Sequence, residues 1–117
     1  MNNNSAEYRT IVQCTPDLTT ALKNDLVTLS GELFAAGLIA EDNAAALTNE
    51  IVGTATRAAQ LMEFVRNRVS LDAKNYLSFI QVLLKRWDDH ENILNILDRK
   101  YKELGKLSVM ISGIYLK

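Results

Sequence analysis

Disulfides, zinc cages and histidine-based catalysis have almost no raw material in this chain. It holds one cysteine, Cys14, and one histidine, His90, in 117 residues. A single thiol forms no internal disulfide and is compatible with a reducing compartment, so a cytoplasmic location is expected. Structural zinc needs about four Cys, His or carboxylate ligands, and no such group is spaced for it. A nucleophile needs a base within reach, usually a histidine near neutral pH. His90 sits among Asp88, Asp89 and Glu91, where an exposed residue in a first helical turn is expected. The five glycines are scattered, so no phosphate-cradling loop forms. No enzyme, cofactor, metal or small-molecule substrate is therefore expected. The longest apolar windows fall far short of a bilayer span, which excludes membrane insertion from the expected partners. The N-terminus is Asn-rich rather than basic then apolar, so no signal peptide is expected. A net charge of −1 disfavours nucleic acid as a partner. One proline, few glycines and little β-branched alternation leave an all-α domain as the expected fold.

What the chain does have is apolar spacing of three and four residues, the signature of helices buried on one face. Residues 1–14 are expected to be a flexible leader, because the Asn run has little to bury. Residues 15–117 are then one six-helix domain. Thr15-Pro16-Asp17 reads as a helix start. Leu18, Leu22, Leu26, Leu29 and Leu33 follow as one stripe out to residue 36. Ser30-Gly31 predicts a bend or a close helix approach within it, and Gly37 fits the position just past its end. A short second helix covers 41–49, with Ala44, Ala45, Leu47 and Ile51 on its inner side. The third, over 55–68, carries Ala58, Leu61, Met62 and Val65. Val69-Ser70 joins it to a fourth, ending at Trp87, that carries Tyr76, Leu77, Ile80, Leu83 and Leu84. Asp88 and Glu91 read as a capping box for a fifth that ends at Gly105. A sixth is expected over 107–114.

Charge is unevenly placed. From Asp17 to Glu50 there are six acids and one base; from Ile51 to Lys117 there are eleven bases and seven acids. Opposite patches on one molecule attract between copies, and unlike patches meeting head to tail build rings or open helical filaments. Phe64 lies off the Leu61/Met62/Val65 stripe, towards Arg57, Gln60 and Arg68, and reads either as a core-flanking residue or as an exposed contact. A second function class uses Arg66, Arg68 and the 99–106 basic cluster: a helical nucleic-acid-binding or regulatory protein. Acids interleave with that cluster (Asp98, Glu103), which favours pairing within a helix over phosphate binding.

The stretch from Leu22 to Leu104 resembles the death-fold superfamily, most closely the caspase recruitment domain, with death-effector and pyrin domains as relatives. The resemblance is carried by the first helix with its break, Leu38-Ile39, and the acidic Glu41-Asp42 of a short second helix. It continues in Thr56-Arg57-Ala58-Ala59-Gln60-Leu61-Met62, in Tyr76, Phe79, Ile80 and Leu83, and in Ile93-Leu94 with Leu97. Ala40 stands where a capping Ser or Thr is common, and Arg68-Val69-Ser70 where a glycine is common. The resemblance implies a six-helix antiparallel Greek-key bundle. It implies homotypic association, with itself or another death-fold domain, in apoptotic or innate-immune-type signalling. The family sets acids of helices two and three against bases of helices one and four. Carried over by position, Glu41, Asp42 and Glu50 are the acidic side and Lys23, Lys74 and Lys85 the basic side. Arg57 and Phe64 are candidates for further contacts.

Overall fold

The computed structural model describes residues 4–106, all helix and turn, with no strand among them. Six helices follow one another: α1 (Ala6–Leu22), α2 (Leu26–Ala35), α3 (Glu41–Leu47), α4 (Thr54–Leu71), α5 (Lys74–Leu84) and α6 (Trp87–Glu103). The expected helix over 107–114 lies outside the described residues, so these six are not the six read from the sequence.

The difference begins at the N-terminus. Residues 6–14, read as leader, are the first half of α1. Ser5 accepts the Tyr8 amide at 3.0 Å and caps the helix. Thr10, Ile11 and Cys14 are buried on the same face as Leu18 and Leu22. The Asn run gave no sign of this, because the helix begins only after it. Pro16 is inside α1, not at its start. It removes the amide that would bond the Val12 carbonyl, but Val12, Gln13 and Pro16 all lie on the exposed side of the helix. Thr15 and Thr19 donate their hydroxyls to the Ile11 and Thr15 carbonyls, each at 2.8 Å.

The stripe of leucines from Leu18 to Leu33 is buried as expected, yet it belongs to two helices. The break falls at 23–25. At Ser30-Gly31 α2 runs straight through, and a Cβ at Gly31 would meet nothing within 4 Å. Neither a close approach nor a helix end requires that glycine. Gly37 does what its position suggests. Its φ of 77° is the left-handed conformation that favours glycine, and it lets the Leu38 amide bond the Leu33 carbonyl at 2.9 Å. Gly105, with φ 87°, ends α6 in the same way.

The α4–α5 joint is Asp72-Ala73, later than expected, because Val69 and Ser70 are buried within α4. The Asp72 carboxylate accepts the Lys74 amide at 3.0 Å, and the Asn75 side chain donates to the Arg68 carbonyl at 2.8 Å. Trp87 opens α6 and packs half-buried against the core. No side chain caps α6, so the Asp88/Glu91 capping box does not form.

α4 is the longest helix and the hub. It touches α1, α2, α3 and α5, while α1 lies between α4 and α6, and α5 packs on α2 and α6. Leu22, Leu29, Leu33, Leu47, Leu61, Val65, Phe79, Leu83, Leu94 and Leu97 fill the space enclosed.

Candidate docking surfaces

Glu41 and Asp42 occupy the first turn of α3, both exposed. Helix-end amides favour carboxylates there, and Asp42 accepts the Asn43 amide at 3.0 Å. Among the described residues neither carries an ion pair. Glu50 is exposed in the α3–α4 turn. These three expected acids therefore share one region, the two ends of α3.

Two other acids counted toward the acidic half are committed inside the molecule. Arg86, at the α5–α6 joint, donates from Nη1 to Asp25 and from Nη2 to Glu32, each at 2.9 Å. The Asp25 hydrogen bond holds its guanidinium above its ordinary pKa, against the opposing effect of burial. Asp25 stands at the N-cap of α2, but its carboxylate turns to α6 instead of capping its own helix. Its second oxygen lies 3.1 Å from His90 Nε2. His90 is only 3% exposed, so the expected surface histidine is corrected to a buried one. Its Nδ1 lies 3.0 Å from the Leu83 carbonyl. This cluster joins residues more than fifty positions apart, and nothing local in the sequence marks it.

The basic candidates are spread over two helices. Lys23 is exposed at the end of α1, and Lys74 and Lys85 are exposed at the two ends of α5. Lys74, Gln81 and Lys85 lie along the outward stripe of α5, and Leu77, expected on its buried stripe, is exposed beside them. Arg57 is not on the surface. It is 7% exposed and donates from Nη1 to the Leu47 carbonyl at 3.1 Å, at the C-terminal end of α3. A cation suits that end of a helix dipole, and this internal bond removes Arg57 from the candidate contacts. On α6, Lys100 pairs with Glu103 at 2.8 Å and Lys102 with Asp98 at 3.2 Å. The interleaved acids thus neutralise part of the basic cluster, and the uncompensated stripe that phosphate binding needs is not formed there.

Phe64 is half-buried and packs against the core. Its outer side helps line a cleft of about 270 Å³ with Leu38, Asn43, Asn67, Arg68 and Leu71. Ile51, expected on the inner side of the second helix, is 95% exposed. Helix α3 ends at Leu47, so the helical spacing that would have turned Ile51 inward stops before reaching it.

The Tyr76 and Tyr101 rings stack with centroids 4.8 Å apart, and the Tyr101 hydroxyl donates to Glu7 at 2.6 Å. Burial pushes both phenols well above their ordinary pKa, helped at Tyr101 by that bond. Burial, then Asp17, also raises the Cys14 thiol, the direction of an inert side chain rather than a nucleophile. Among the described residues no group of three metal-type ligands forms, and no helix is long and apolar enough to cross a membrane.

Comparison with known protein families, curated proteins and solved structures finds no match to this chain.

Proposed function

We propose that this chain is a protein-docking module of the death-fold type, closest to caspase recruitment domains. It associates with copies of itself or with a related helical domain in apoptotic or innate-immune-type signalling. The observation that carries this reading is the pair Glu41 and Asp42. These adjacent carboxylates are exposed, without ion pairs among the described residues, on a short helix held by the rest of the bundle. The order of packing supports it as well: α1 lies against α6, the last of the described helices, and α2 against α5, a neighbour order that a Greek-key path can produce.

The shift of helix boundaries alters the family carry-over. Glu41 and Asp42 now sit on a third helix, which keeps them on the acidic side. Lys74 and Lys85 sit on a fifth helix rather than a fourth. The family's basic side, helices one and four, is then supplied by Lys23 at the end of α1 and Arg66 on α4. Exposed ion pairs contribute about 0–1 kcal/mol each. Charge therefore chooses the partner and speeds encounter, while affinity comes from apolar contact and repetition.

Charge reversal tests the pairing. Glu41→Lys with Asp42→Lys is expected to weaken self-association about tenfold or more. Lys23→Glu or Arg66→Glu tests each candidate basic partner, and the reversal that rescues the acidic-side variant identifies it. Association unaffected by any of these reversals contradicts the proposed pairing.

A further inference from the structure

We propose that one copy of this chain docks on the next by placing Ile51 into the cleft lined by Leu38, Phe64 and Leu71, with Glu50 meeting Arg68 of the receiving copy. This rests on the docking function proposed above and names the surfaces it uses.

A lone exposed isoleucine needs no explanation. What points to docking is that the same molecule carries a matching receptor. The cleft has apolar walls (Leu38, Phe64, Leu71) and a rim of two amides and a guanidinium (Asn43, Asn67, Arg68). Leu71 at its edge is 67% exposed, apolar surface that an occupant would cover. Ile51 comes with a carboxylate beside it, and the cleft with a cation. Among the described residues neither Glu50 nor Arg68 makes an ion pair. Asp72, the acid next to Leu71, accepts the Lys74 amide at the start of α5.

Ile51 is also held ready. The Asn49 side chain accepts the Ile51 amide at 3.1 Å, and the Asn49 carbonyl accepts the Val52 amide at 3.1 Å. A turn fixed before binding loses less freedom on binding.

Helix α4 dictates the geometry of assembly. Ile51 precedes its first turn, and Arg68 and Leu71 lie in its last. From Thr54, at about 1.5 Å a step, the cleft's α4 residues begin roughly 15 Å along the rod at Phe64 and reach roughly 21 Å at Arg68. Ile51 therefore does not fill its own cleft. Unlike surfaces at opposite ends of a rigid element make a head-to-tail contact, which repeats from copy to copy.

Light scattering with size-exclusion chromatography tests this on the full chain with Ile51→Asp and Leu71→Asp. Both side chains are mostly exposed, and circular dichroism checks that the bundle is retained. Each variant alone is expected to self-associate at least about tenfold more weakly than the wild type. Ile51→Asp keeps an intact cleft, and Leu71→Asp keeps an intact Ile51. Mixed in equal amounts they should form a dimer of wild-type affinity that grows no further. A wild-type chain that stays monomeric, variants that assemble like wild type, or a mixture that stays monomeric overturns the proposal. Should both variants assemble normally while Glu41→Lys with Asp42→Lys abolishes assembly, the cleft assignment fails and the docking module stands.

Discussion

Tyr76 and Tyr101 show how single residues couple this fold to solution conditions. Their phenols are pushed up, chiefly by burial. In the unfolded chain phenols ionise near pH ~10. The folded pKa values lie above the unfolded ones, so the stability these residues contribute is complete below about pH 10 and is lost as pH rises beyond it. Alkaline titration followed by phenolate absorbance should show both tyrosines ionising together with loss of helical circular dichroism. Ionisation of both near pH ~10 with helix intact would contradict their buried placement. The same scale shows where sequence reading stops. His90 and Arg86 look like surface residues in a polar run. Their partners Asp25 and Glu32 come from another helix, and no local pattern reports a contact made over such a separation.

At the scale of elements, most of the core was legible and the helix boundaries less so. Leu18 through Leu33, Leu61 to Val65, and Tyr76, Ile80 and Leu83 are buried as their spacing indicates. Two strong punctuation residues misled. Pro16 suggested a start, yet its missing amide faces the solvent side of a helix already under way. Gly31 suggested a break, while the true break at 23–25 contains neither glycine nor proline. Merging α1 and α2 set every later helix one place early. Glu41 and Asp42 therefore stand on a third helix rather than a second, and Lys74 and Lys85 at the ends of a fifth rather than on a fourth. Gly31 yields a prediction of its own. Its φ is not positive, and a Cβ there is unobstructed. Gly31→Ala should therefore stabilise the protein by about 0.5–1 kcal/mol, measured by urea unfolding. A loss of stability would show that α2 is not a regular helix at that point.

For the whole molecule, the uneven charge of the sequence is softened by folding but not erased. Arg86 and His90 take up two acids of the N-terminal half, and Lys100 and Lys102 of α6 pair with acids of the same helix. The exposed groups among the described residues include carboxylates at the two ends of α3, lysines at the ends of α1 and α5, and Ile51 standing clear of the core. Such surfaces associate weakly one at a time and firmly only when repeated. Exposed charges are screened over about 10 Å at 0.1 M salt, so assembly guided by them is salt-sensitive. The most direct test is the weight-average mass of the wild-type chain by light scattering, across protein concentration at low and high salt. Docking between unlike surfaces predicts a mass that rises with concentration past the dimer and falls back as salt is raised. A mass fixed at the monomer under every condition, or one that stops at the dimer and ignores salt, would contradict it.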